Sequence, residues 1–219
     1  MDKGRLDEAI KEFREAIRLE KDNARARNNL RQAEHMARLN GSLPRILEGK
    51  EQPKNAVERL ALAWLCQQPY KKRYAAAVRF YSETFAEKPQ LANDLNTQHR
   101  YNAACAAALA GCGQGNDAGK LDTKERTRLR QQALDWLRAD LKAYRQAIEK
   151  SAGKAGPMIA QRMQHWLQDG DFAGVRGDNA PGKLPEDERS TWRKLWGDVA
   201  EMQAKAQGKA PQEKKPDTK

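Results

Sequence analysis

Three histidines and three cysteines are the side chains of this sequence best able to hold a metal or act as nucleophiles: His35, His99, His165, Cys66, Cys105 and Cys112. A protein-built zinc site takes such groups at close, repeated spacings, on adjacent helical turns or as paired Cys-x-x-Cys units. Each histidine reads as an isolated helical residue without a second ligand at i+3 or i+4, which predicts packed or surface imidazoles and no metal site. Cys105 and Cys112 stand apart across a glycine boundary with no matching pair elsewhere, so no zinc site is expected from them either. An odd, irregularly spaced set of cysteines excludes a disulfide framework and fits a reducing, cytoplasmic setting.

Other groups could carry chemistry only in a particular context. Gly111-Cys112-Gly113-Gln114-Gly115 is glycine-rich like a phosphate cradle, yet such cradles follow a strand and open a helix, whereas this run closes a helix. Asp and Glu are scattered, with no isolated carboxylate pair in an apolar setting to anchor a hydrolase. Trp136, Trp166, Trp192 and Trp196 fall on apolar helix sides and read as core. The formal charge is +11, and Arg189, Arg193 and Lys194 flank two of those tryptophans, which keeps a basic nucleic-acid-binding helical protein as an alternative. Most basic residues nevertheless alternate with acidic ones, as in Lys11-Glu12-Phe13-Arg14-Glu15, the pattern of a solvated helix face. No catalytic residue, cofactor or metal is therefore expected, and the chain reads as a non-enzyme.

The elements that must position these residues are helices. Val, Ile and Thr are sparse while Ala, Leu, Arg, Lys, Glu and Gln abound. Apolar residues recurring at three and four predict helices over about Leu6–Leu19, Ala24–Arg38, Ala56–Cys66, Lys71–Ala86 and Leu91–Ala110. The same spacing predicts further helices over about Asp122–Ile148 and Met158–Gln168, and one opening near Pro185. Asn40-Gly41-Ser42 and Pro44 are expected to end the second, with one helical turn at Arg45–Leu47 inside the irregular connection that follows. Val57, Leu60, Ala61, Trp64 and Leu65 are expected on one packed face of the third. No apolar run approaches the ~18–20 residues needed to span a membrane, and Met1-Asp2-Lys3-Gly4 opens into a charged amphipathic helix, which argues against a signal peptide.

Pairing the helices exposes a register. In tetratricopeptide repeats of about 34 residues, small residues sit where two helices cross and a large one fills the gap beside them. Ala9, Phe13 and Ala16 keep that spacing, with Lys21 where proline is usual; Ala77, Tyr81, Thr84 and Pro89 repeat it; Ala133 and Leu137 follow more loosely. The chain thus resembles the tetratricopeptide repeat superfamily over roughly residues 4–150. The fold expected is all-α, antiparallel helix pairs stacked as a short right-handed solenoid with a C-terminal helical extension. Segments are expected at 1–40 (a helix pair from a truncated repeat), 41–55 (an irregular connection), 56–150 (degenerate helix pairs), 151–207 (C-terminal helices) and 208–219 (a disordered basic tail).

Three passages carry a closer likeness: Glu58–Ala63 leading to Pro69–Ala77, His99–Ala108 through Gly115, and Trp192–Trp196. Together they resemble the C-terminal repeat region of large planctomycete-type bacterial serine/threonine protein kinases. That resemblance implies a regulatory or oligomerisation segment of a kinase, although no glycine-rich loop with strand lysine, His-Arg-Asp or Asp-Phe-Gly motif is present. The leading expectation is a protein-interaction scaffold. By analogy with the lining of first helices in such repeats, its peptide groove would be formed by Arg25, Asn28, Asn29 and Gln32, with Gln98, Tyr101 and Asn102. The first helix would lack its usual neighbour, leaving Leu6, Ile10, Phe13 and Ile17 exposed as a surface for self-association.

Overall fold

The structure, a computed structural model, describes residues 3–151, 153–177 and 184–208, with side chains described from Leu6 onward. Helices α1 (Lys3–Leu19), α2 (Ala24–Leu47), α3 (Ala56–Gln67), α4 (Tyr74–Glu87) and α5 (Pro89–Asn93) are followed by α6 (His99–Gly111) and α7 (Thr123–Lys150). Helices α8 (Gly156–Gln168) and α9 (Glu186–Ala206) complete the order, with 3-10 turns at Ala118–Lys120 and Gly170–Val175. No strand occurs among the described residues, so the protein is all-α as expected.

The chain divides into two compact units: Met1–Leu91 with Gln114–Lys120, and Ala92–Gly113 with Leu121–Lys219. The boundary falls inside the stretch expected to be one run of repeats.

In the first unit α1 packs on α2, and α3 on α4. Gln67 Nε2 donates to Tyr81 Oη at 3.0 Å, and Arg59 pairs with Glu87. Residue numbers fall along one helix as they rise along the other, so α3 and α4 are antiparallel. Leu62, Leu65, Val78 and Phe80 form their core, and Ala77 and Tyr81 are buried with them. Thr84 fills the expected small-residue position by turning its hydroxyl back onto the Phe80 carbonyl, 2.7 Å away.

Helix α2 does not stop at Asn40; it continues through Gly41 and Pro44 to Leu47. Leu39, Leu43 and Ile46 are buried at helical spacing. Burying three such side chains contributes roughly 1.5–3 kcal/mol each, against ~1 for glycine and ~3 for proline in a helix. Burial wins, and part of the stretch expected to be irregular is helical.

Two further differences have local causes. The apolar face of α3 is divided: Leu62, Ala63, Leu65 and Cys66 are buried, but Val57 is 67% and Trp64 46% exposed. The expected helix from Leu91 to Ala110 is broken between Asn93 and His99, where the Asp94 carboxylate accepts from the Asn96 N–H and Thr97 Oγ1 donates to the Asp94 carbonyl. Asx-type turns of this kind compete with the helix ladder. The exposure expected along α1 is also corrected in one place: Leu6 is buried, while Ile10, Phe13 and Ile17 are half-buried. Leu6 lies where α1 meets α2, so its side chain has a neighbour. The tail beyond Gly208 lies outside the described residues.

In the second unit α6 packs on α7. Arg130 Nη1 donates to the Gly111 carbonyl at 2.6 Å, and Arg100 Nε to Asp140 Oδ1 at 2.6 Å. The pair is therefore antiparallel. Ala103, Ala104, Ala106, Ala107, Ala108 and Ala110 are all fully buried, because alanine lets neighbouring backbones close in from several sides. Asp122 caps α7, accepting from the Glu125 N–H at 2.7 Å as its spacing predicts. Helices α8 and α9 meet at Gly156, whose missing Cβ would lie 2.6 Å from the Ala206 carbonyl.

Candidate functional site

The first unit holds an apolar pocket of about 240 Å³. Leu6, Ala9 and Phe13 of α1 form one wall, and Asn29, Gln32, Ala33 and Met36 of α2 another. Trp64 and Leu65 of α3, with Tyr70 just beyond it, complete the lining. Each helix contributes by spacing: Leu6, Ala9 and Phe13 are successive turns of one stripe, as are Asn29, Ala33 and Met36. Leu65 is buried in the floor, whereas Trp64 keeps 46% of its surface open, so the indole is an accessible wall. The volume is below the ~300–1,000 Å³ usual for small-molecule sites. A cavity near 150 Å³ already takes a benzene ring, so this pocket suits one or two apolar side chains.

Of the expected groove residues, Asn29 and Gln32 line this pocket. Arg25 and Asn28 are exposed elsewhere on α2, where Asn28 accepts from Arg31 of the next turn. Gln98, Tyr101 and Asn102 belong to the other unit. Gln98 is a half-buried left-handed residue just before α6, and Asn102 is half-buried. Tyr101 is not on a groove wall: it is buried, stacked on Trp166 at 5.1 Å, and its hydroxyl donates to Asp169 Oδ2 at 2.6 Å. Among the repeat residues, Ala77, Tyr81, Ala133 and Leu137 are buried, Ala9, Phe13 and Ala16 half-buried, and Pro89 exposed.

Several features behind a nucleic-acid reading make contacts within the protein. Trp192 and Trp196 are buried and stacked on one another, and Arg189 and Arg193 both pair with Glu186. Trp166 is buried as expected, and Trp136 is half-buried.

A cluster that the sequence reading missed lies in the second unit. One ligand atom from each of Cys105, Asp169 and Asp171 lies within 4.8 Å of the other two. Asp169 Oδ2 is also 3.4 Å from His165 Nε2. Burial, reinforced by the two carboxylates, pushes the Cys105 thiol well up, and burial with the Asp169 charge raises Asp171. Burial likewise raises the Tyr101 phenol, which therefore stays a donor. The signal was present: Asp169 is four residues after His165, a ligand at helical spacing, with Asp171 two further on. Cys105 is remote in sequence, and only the packing of α6 brings it in.

A family model described as TPR repeat matches residues 1–33. The match covers α1 and the start of α2, including Ala9, Phe13 and Ala16, and supports the tetratricopeptide-type repeat expected there. Comparison with curated proteins gave no match, and comparison with solved structures gave none. The kinase-tail resemblance gains no relative from them. No helix among the described residues is long and apolar enough to cross a membrane.

Proposed function

We propose that this chain is a non-catalytic protein-interaction module whose pocket on α1, α2 and α3 takes an apolar side chain of a partner peptide. The observation that carries this reading is the pocket itself: apolar walls, a half-open tryptophan and two amides, Asn29 and Gln32, at its edge. The apolar walls would take the anchor, and the amides would hydrogen-bond the peptide backbone beside it. Tryptophan in a partly dry pocket is the residue type that dominates interface energetics. The repeat match over residues 1–33 supports the same class of function, since tetratricopeptide-type repeats stack helices to present binding surfaces.

Selection from a displayed random-peptide library tests the proposal. Peptides sharing one aromatic or leucine anchor are expected, and Trp64→Ala should weaken them about 10-fold or more. Ala33→Leu, which narrows the pocket, should do the same with Trp64 intact. Selected peptides that bind both variants as tightly as the unaltered protein would remove the pocket as the site.

A further inference from the structure

We propose that Cys105, His165, Asp169 and Asp171 form a zinc-binding site in the second unit. The four residues come from separate places: Cys105 from α6, His165 from the last turn of α8, Asp169 from the end of that helix, and Asp171 from the following 3-10 turn. Tetrahedral zinc with bonds of about 2.0–2.3 Å holds its donor atoms roughly 3.3–3.8 Å apart. Here Asp169 Oδ2 is 3.4 Å from His165 Nε2 and 3.9 Å from Cys105 Sγ, with the Asp171 carboxylate within 4.8 Å of Asp169 and Cys105. The Cys105, Asp169 and Asp171 donors need only a modest contraction around an ion, whereas the exposed His165 ring, which reaches only Asp169, must swing inward to join them.

The donor set selects the ion class. A thiolate and an imidazole beside carboxylates suit zinc, whereas calcium and magnesium take oxygen alone and would leave the sulfur unused. An exposed acidic patch lacks this character: Cys105 is buried, and the Asp169 side chain is 15% exposed. His165 is 62% exposed and gives the ion a way in from solvent. His165 touches the Asp169 carboxylate of this cluster and brings a nitrogen donor beside it.

Asp169 is also held in place. Tyr101 Oη donates to its Oδ2 at 2.6 Å, and the Asp171 N–H donates to its Oδ1 at 3.0 Å. Bonds of this kind orient the ligating carboxylate in metal sites. Tyr101 is thus a positioning residue. Binding forms a sulfur–zinc bond and releases the thiol proton to solvent, while the neutral imidazole coordinates through its free nitrogen.

The test uses the whole chain, freed of metal with a chelator and then titrated with Zn²⁺, and in parallel with Co²⁺ as a spectroscopic substitute. One ion per chain is expected, together with a thiolate-to-cobalt charge-transfer absorption that is absent in Cys105→Ser. His165→Gln and Asp171→Asn, at solvent-accessible positions, should each weaken Zn²⁺ binding about 10-fold or more, and Tyr101→Phe about 10–100-fold. If Cys105→Ser does not fold, the charge-transfer band of the unaltered protein and the His165 and Asp171 variants still decide the matter. The proposal is overturned if binding is not stoichiometric, if cobalt binds without the sulfur band, or if both of those variants bind zinc as the unaltered protein does.

Discussion

Asp140 lies 2.6 Å from the Arg100 guanidinium where little water reaches either group. Burial pushes its carboxyl up from 3.8 to about 6, against the pull of Arg100 and Arg162. The folded chain therefore takes up this proton before the unfolded chain does. Through this group stability rises as the pH falls from above 6 toward the unfolded value, and is lost as the pH rises through that window. Asp140→Asn removes the titration. Relative to that variant, the unaltered protein should gain stability between about pH 7 and about pH 4.5 in denaturant melts; a difference that stays constant would refute the assignment. Arg100→Met leaves the carboxylate buried and unpaired, and should cost about 3–5 kcal/mol at neutral pH by the same melts. Neither partner was legible from periodicity, because Arg100 and Asp140 are forty residues apart and only antiparallel pairing joins them. The same holds for Tyr101 and Asp169: a tyrosine that analogy assigned to a groove is core, because its partner lies far along the chain.

At the scale of the element, the sequence was most informative where one force acted alone. Helix α7 begins at its Asp122 cap as expected, and α1 follows its apolar stripe. It was least informative where local and tertiary preferences opposed one another. Gly41 and Pro44 argue for a stop, but three buried apolar residues draw α2 onward to Leu47. Gly41 is helical, and a Cβ there would meet nothing within 4 Å. Gly41→Ala should therefore stabilise the protein by about 0.8–1 kcal/mol, read as a raised denaturation midpoint with unchanged slope. Leu43→Ala should destabilise it by about 2–5 kcal/mol in the same measurement. Helix α3 shows the converse limit: spacing identified an apolar face, but it could not tell which part faces the core and which, including Trp64, faces a pocket.

For the whole molecule, the least legible feature was that the first unit is discontinuous. The connection between α6 and α7 reads as a polar, glycine-rich loop, yet Gln114–Lys120 belongs to the first unit. Asn116 N–H donates to the Lys72 carbonyl at 2.7 Å, and its side-chain amide to the Lys71 carbonyl at 2.8 Å. Helix α4 has no cap of its own; the Asp117 carboxylate accepts from the Ala75 and Ala76 N–H groups instead. Gly115, with φ +101°, permits the approach, since a Cβ there would lie 2.7 Å from the Lys72 carbonyl. A cap supplied from forty residues away leaves no local sequence signature. Asp117→Ala should cost about 1 kcal/mol, and hydrogen exchange should rise at the first turn of α4.

That routing also determines how the chain can be divided. A break between Lys120 and Leu121 leaves the Asp117 cap with α4, but it puts α6 in one polypeptide and α7 in the other. The contacts that must re-form include the alanine-lined α6–α7 seam, with the Arg100–Asp140 pair and the Arg130–Gly111 bond crossing it, and the packing of Tyr101 on Trp166 and Asp169. Two polypeptides split there and produced together should assemble without a covalent link, which makes this loop a natural place to split the protein into a pair of complementing halves.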